Sequence, residues 1–138
     1  MKYAVSFFIL CLIAACSSPS KALLKTWKID DVQFLDSLNT FTPDQKEMVT
    51  KSLKTDLNFT FLPDSAYVVK SAGTTINSKW WYTGKKNNYT LYTIGSDGKT
   101  VKSKIIKLTK DYFQFEAKAD DENQSFLFTC SPMVTGSK

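Results

Sequence analysis

The chain has 138 residues, a formal net charge of +5 and 18 basic residues, all of which are lysine. Histidine is absent, which excludes His-based catalytic triads and His-ligated zinc. Arginine is absent too, so the chain lacks the planar group that clamps phosphate with two parallel hydrogen bonds, and no nucleic-acid partner is expected.

The first predicted element is a secretory signal over residues 1–15. Lys2 supplies a positive start. The apolar run from Ala4 to Ala15 would extend about 18 Å as a helix, which is short of the about 30 Å of a bilayer core. Ile13-Ala14-Ala15-Cys16 then resembles the lipobox of bacterial lipoproteins, in which an aliphatic and two small residues precede a cysteine that takes a diacylglycerol. We therefore expect the signal to be removed and Cys16 to be lipidated.

The alternative is a plain signal peptide that happens to contain a cysteine. Lipidation of Cys16 would anchor the protein in a membrane of the cell envelope. By analogy with bacterial lipoprotein sorting, Ser17 in place of Asp permits transit to the outer membrane, and the lack of a following acidic run favours its periplasmic face. With Cys11 removed and Cys16 lipidated, only Cys130 remains, so no disulfide within the chain is expected.

After the anchor, residues 16–22 form a predicted polar tether and residues 23–131 a single domain. Leu23 to Ile29 alternates as a first strand. Thr42, Pro43 and Gln45 then predict a helix start with a capping box, and the helix is expected to end near Thr55. Its predicted apolar side consists of Met48, Val49 and Leu53.

Beyond the helix the hydrophobic period changes to two, which predicts seven more strands near residues 57–61, 66–71, 75–83, 89–94, 101–108, 112–117 and 125–130. Adjacent Ile105 and Ile106 predict a β-bulge. Short connections favour consecutive pairing, and closing the sheet would remove its edges. The predicted fold is mainly β: a small eight-stranded antiparallel up-and-down barrel, with one α-helix inserted after the first strand and lying against one mouth. Residues 132–138 are predicted to form a flexible tail.

Several of these features together resemble a known family. They are Leu24-x-x-Trp27, a helix rich in Lys and Gln, Phe59-x-Phe61-x-x-Asp64, and Trp80 two strands later. They resemble the lipocalin-like lipoproteins of Bacteroidetes-type bacteria over roughly Leu23 to Cys130. The resemblance implies a barrel of the calycin type with a small-molecule role.

The alternation places many aromatic side chains inside the barrel. An eight-stranded barrel is just wide enough to be filled by side chains or to hold one small ligand. Both interpretations stay open: a solid core, or an apolar pocket. The candidate pocket lining is Phe59, Tyr67, Trp80, Tyr82, Leu91 and Phe115. Trp27 is expected to be a structural plug, and Trp81 to be partly exposed.

The remaining motifs favour surface roles. The lysines near residues 99–110 are expected to solubilise a strand, and the acidic segment 120–123 lacks the ligand spacing of an EF-hand, so no metal site is predicted. Ser37 and Ser65 each follow an Asp in a segment that resembles the three-residue O-glycosylation motif of Bacteroidetes exported proteins, with a chance match as the alternative. Cys130 is expected to be buried and inert.

Two functions follow from these expectations. The first is a lipid-anchored envelope lipoprotein whose barrel binds a small apolar or amphipathic ligand. The second is a structural or interaction lipoprotein with a filled barrel, which contacts a neighbouring envelope protein through Trp81, the helix face or the loops. No serine motif stands out and the carboxylates cluster in loops and turns, so no catalytic residue, enzyme activity or cofactor is expected.

Overall fold

The computed structural model describes residues 19–35, 41–118 and 124–134, which form a closed antiparallel barrel of eight strands. Each strand pairs with the next one along the chain, and the last strand pairs with the first. The predicted barrel, with a helix after its first strand, is confirmed. The elements in chain order are α1 (Pro19–Leu23), β1 (Thr26–Phe34), α2 (Pro43–Asp56), β2 (Leu57–Phe61), a 3-10 turn (Pro63–Ser65), β3 (Ala66–Ser71), β4 (Thr74–Lys85), β5 (Asn88–Ile94), β6 (Thr100–Leu108), β7 (Phe113–Lys118) and β8 (Ser125–Pro132).

The first and last strands pair with each other, which closes the barrel. Trp27 lies opposite Phe59 of β2 on one side and Pro132 of β8 on the other. At Trp27 and Lys28, β1 is therefore paired with a strand on each side, and this pairing closes the sheet.

The first strand differs from its predicted bounds at both ends. Leu23 belongs to α1 rather than to β1, so the later part of the predicted polar tether is helical. The Trp27 indole N–H donates to the Leu23 carbonyl at 3.1 Å, and Leu23 is completely buried, so Leu23 packs at the end of the barrel rather than in the sheet. At its other end β1 continues to Phe34, five residues beyond the predicted Ile29.

Two β-bulges keep the apolar side chains directed inward. The predicted bulge in β6 is confirmed by a register shift between Ile105 and Lys107, which leaves Ile105 buried and Ile106 exposed. A second bulge in β1 shifts the register between Ile29 and Asp31. The extra residue restores the inward direction of the side chains, so Val32 is buried like Ile29 although the two are three positions apart in the sequence.

Helix α2 begins with the predicted capping box. Thr42 Oγ1 accepts from the Gln45 backbone N–H at 3.3 Å, and Gln45 Oε1 accepts from the Thr42 N–H at 2.9 Å. The predicted apolar side is partly wrong. Leu53 packs on the barrel core, but Met48 is 69% exposed. At about 100° per residue Met48 lies roughly 140° around the helix from Leu53, so it faces solvent.

The barrel has two unlike ends. At the first, which we call the sealed end, α1 lies where β1 begins and β8 ends. The second, the helix end, is where β1 ends and β2 begins, and α2 packs there against both strands. The predicted position of the helix against one mouth agrees with this arrangement. The largest fully buried side chains are Trp27, Phe61, Phe113, Leu23 and Cys130.

Trp27→Ala should reduce the free energy of unfolding by about 3–5 kcal/mol, because the substitution leaves a cavity in the sealed end and removes a buried hydrogen bond. The measurement is urea unfolding followed by circular dichroism on a chain that begins at Ser17. The matched control is Trp81→Ala on the outer wall, for which we expect less than about 1.5 kcal/mol. Equal losses in the two variants would contradict the role of Trp27 as the plug.

Candidate functional site

All six predicted pocket residues lie on the inner face of the barrel. Phe59, Trp80 and Leu91 are buried, and Tyr67, Tyr82 and Phe115 pack against this core while staying partly exposed. The structure therefore brings the candidates together as parts of one core.

Within that core the candidates form two groups. The Phe59 ring contacts Tyr67 and Phe115, with centroids 6.3 and 6.0 Å apart. Trp80 stacks with Tyr82 at 6.4 Å, and Tyr82 lies opposite Leu91 in the sheet. Phe61 joins the groups, since its ring lies 5.7 Å from Phe59 and 5.3 Å from Trp80.

The half of the barrel near the sealed end is filled by rings. The Trp27 and Phe113 rings lie 5.3 Å apart, and Phe113 lies 6.2 Å from Phe61. Each of these three side chains is at most 1% exposed. Trp80 is anchored in the same layer through its indole N–H, which donates to the Leu62 carbonyl at 3.0 Å. In this half the solid-core interpretation describes the barrel.

The other half presents apolar rings that solvent can reach. From the filled layer a row of phenyl rings runs towards the helix end, with successive centroids 4.9, 5.0, 6.2 and 5.3 Å apart. We call it the phenylalanine row: Phe113, Phe115, Phe128, Phe126 and Phe34. All but Phe113 are partly exposed. Inward side chains of a closed barrel meet solvent only through an end, and the sealed end is filled, so this row is open towards α2.

Beside the row, α2 and β1 form a groove of about 470 Å³. Its floor is apolar, from Val32 and Phe34, and its walls are polar, with three lysines and one glutamate. Lys46 Nζ lies 5.5 Å from the centre of the Phe34 ring. The groove is lined by Val32, Phe34, Lys46, Glu47, Thr50, Lys51, Lys54 and Thr55. An apolar floor next to several ammonium groups suits a molecule with an apolar chain and an anionic head.

Sequence reasoning missed this groove because it ended β1 at Ile29. After the bulge, apolar side chains alternate again at Val32 and Phe34, one residue out of step with the alternation that ends at Ile29. That shifted alternation is the signal in the sequence that could have located the groove floor.

Tyr67 and Cys130 are titratable groups inside the barrel, and both are held in their neutral form. Burial, and then the nearby Cys130 thiol, raises the pKa of Tyr67 above its ordinary range. Burial, and then the Asp30 carboxylate, raises the pKa of the Cys130 thiol to about 12. The expected burial of Cys130 is confirmed, and Tyr67 offers a neutral hydroxyl that packs against the barrel core.

The other predicted sites lie outside the barrel interior. Ser65 is exposed in the 3-10 turn with a φ of 63°, where its hydroxyl is accessible. Trp81 is 39% exposed, as expected, and stacks on Tyr92 at 5.3 Å. Cys16 and Ser37 lie outside the described residues, as does the acidic segment 120–123.

Within the ranges that the structure describes, no three His, Cys, Asp or Glu residues come close enough to hold a metal ion. None of the helices in those ranges has the length and apolar character needed to cross a membrane. Comparisons with protein-family models, with curated proteins and with solved structures found no match.

The elevated pKa of Cys130 predicts a loss of stability in alkali. In the unfolded chain the thiol ionises around its ordinary value of 9.0, whereas in the folded barrel it stays protonated to about 12. The free energy of unfolding should therefore fall as the pH rises through that interval, and it should show no such change from this group below pH 9.

This prediction is measured by urea unfolding at several pH values on a chain that begins at Ser17, where Cys130 is the only thiol. Cys130→Ala is the control and should lose this part of the pH dependence. Ellman's reagent should react with Cys130 only after unfolding. Equally fast reaction with the folded barrel would contradict its burial.

Proposed function

We propose that this protein is a lipid-anchored lipoprotein of the cell envelope whose barrel binds a small amphipathic molecule at the helix end. The observation that carries the proposal is the phenylalanine row, which is partly exposed on the inner wall of a closed barrel and ends at Phe34 in the groove beside α2. We propose binding rather than catalysis. The resemblance of the sequence to lipocalin-like lipoproteins supports the same role.

The apolar part of the ligand would supply most of the affinity. Each methylene group that leaves water contributes about 0.8 kcal/mol, and Phe34, Phe126 and Phe128 offer an apolar surface to receive a chain. The anionic head would lie against α2. Lys51 and Lys54 are exposed, so each ion pair there is worth only about 0–1 kcal/mol and serves to orient the ligand.

A direct test compares dodecanoate with dodecanol, which share a chain and differ in charge. Lys51→Glu combined with Lys54→Glu should weaken dodecanoate binding roughly 5- to 30-fold, because two weak attractions become repulsions. Dodecanol binding should stay nearly unchanged. Binding is measured by isothermal titration calorimetry on a chain that begins at Ser17.

The matched control is Lys102→Glu combined with Lys104→Glu. It makes the same change in charge on exposed positions of β6, away from the groove, and should leave both affinities close to the parent values. Failure of the parent barrel to bind either compound would refute the amphipathic-ligand proposal.

The anchor part of the proposal rests on Ile13 to Cys16 and has its own test. Cells that express the full chain with an alkyne-tagged palmitate should label the protein, and the mature protein should float with membranes. Cys16→Ser should abolish the labelling and leave an unprocessed chain. Cys11→Ser is the control, since it retains the lipobox and should label normally. Unlabelled parent protein would contradict lipidation. The proposed location of the anchored protein is the periplasmic face of the outer membrane.

A second candidate function is contact with a neighbouring envelope protein. Two observations favour it: the filled half of the barrel, and Met48, which α2 presents to solvent with 69% of its surface exposed. Native mass spectrometry of the protein purified from cells separates the candidates. A bound small molecule supports the ligand role. A barrel that is purified empty and does not bind dodecanoate favours contact with a neighbouring protein.

A further inference from the structure

Exposed apolar side chains are concentrated at the sealed end. Single exposed apolar residues are normal on a protein surface, but a cluster of them marks a contact surface. In the described ranges only Leu35 and Met48, among the large apolar side chains that are exposed, lie towards the helix end. The others surround α1 or its neighbouring turns and strands: Leu24, Leu62, Trp81, Ile106, Met133 and Val134.

Two shallow grooves flank α1 at this end. One, of about 330 Å³, lies between α1 and the 3-10 turn and includes Leu24, Pro63 and Trp81. The other, of about 370 Å³, lies between α1 and β6 and includes Ala22 and Ile106. The helix therefore lies across the sealed end with a depression on each side, of which the one beside Trp81 is the more apolar.

Exposed lysines surround the same surface. They come from α1, from the β4–β5 hairpin and from the end of β6 with its turn: Lys21, Lys85, Lys86, Lys107 and Lys110. The turns at this end carry the carboxylates Asp64 and Asp111, and Lys110 lies 3.9 Å from Asp111. The lysines outnumber these carboxylates, so the surface is suited to negatively charged headgroups.

The position of the proposed anchor indicates that the partner of this surface is a lipid bilayer. Cys16 precedes Pro19 by three residues, and a chain of that length spans at most about 11 Å. A lipid on Cys16 would therefore hold the sealed end close to the bilayer. This step rests on the lipidation proposed above.

We propose that the sealed end is a docking surface for a bilayer that contains anionic phospholipids. Leu24, Leu62 and Ile106 enter the boundary between headgroups and acyl chains, and the lysines contact the phosphates. Trp81 lies at the headgroup level, which is the preferred depth of tryptophan in membranes. Bilayer contact thus fixes the orientation of the barrel, and the helix end faces away from the membrane.

Tryptophan fluorescence tests this orientation. The lipidated protein is purified from cells that express the full chain and is reconstituted into vesicles of phosphatidylethanolamine and phosphatidylglycerol. The vesicles include phosphatidylcholine with a nitroxide near the headgroup, which quenches nearby tryptophan. Trp27 and Trp80 are buried, so Trp81 should account for most of the quenching, and Trp81→Phe should remove it.

The charge dependence is tested with two triple variants of equal charge. Lys21→Glu, Lys107→Glu and Lys110→Glu together should reduce the quenching of Trp81 several-fold while the protein still floats with the vesicles. Lys51→Glu, Lys54→Glu and Lys70→Glu, towards the helix end, should leave it unchanged. Circular dichroism verifies that both variants keep the fold.

The outcomes separate the docking surface from the anchor. Flotation without quenching of Trp81, or an equal loss in both triple variants, overturns the docking surface and leaves the anchor intact. Parent protein that does not float with vesicles overturns the anchor and the docking surface together. Flotation with quenching that depends on the sealed-end lysines supports both.

Discussion

The burial of Trp27 is the constraint on which the rest of the structure depends. Its indole N–H cannot be left without an acceptor in an apolar interior, and the Leu23 carbonyl at 3.1 Å satisfies it by bringing α1 across the end of the barrel. Its ring packs on Phe113 of β7, while its backbone lies between β2 and β8. One side chain thus joins the beginning of the domain to both sides of the closed sheet.

The two ends of the barrel differ because the aromatic residues are distributed unevenly. Around Trp27 the rings meet at steep angles, 55° between Trp27 and Phe113 and 77° between Phe61 and Trp80, and they are buried. Towards α2 the rings of Phe113, Phe115 and Phe128 stack more nearly parallel, at 30° and 22°, as a row along one wall. The rings of Phe115 and Phe128 are partly exposed, unlike those around Trp27. The proposed ligand site would therefore use a different half of the core from the one that is fully buried.

The sequence predicted those features that depend on neighbours along the chain. Alternation located β2 to β8, and the spacing of Thr42 and Gln45 located the start of α2, because each signal needs only a few consecutive residues. The helical position of Leu23 and the inward position of Phe34 depend instead on the packing of the closed barrel. Leu23 is held by the plug, and Phe34 is reached only after a bulge that β8 stabilises. Alternation also placed the candidate lining residues inside, but their exposure depends on how the whole barrel closes.

The separation of the two ends has a consequence for how a ligand would arrive. Nine residues of β1 extend about 30 Å along the strand, and a tilt of about 40° reduces this to roughly 23 Å along the barrel axis. With the sealed end at the bilayer, the groove beside Phe34 would open at that height above the headgroups. An acyl chain that leaves the membrane cannot span this gap while it remains partly in the bilayer. The proposed arrangement therefore favours ligands that reach the barrel through the aqueous phase or from a protein opposite the helix end. It disfavours lipids that are taken directly from the membrane leaflet that holds the anchor.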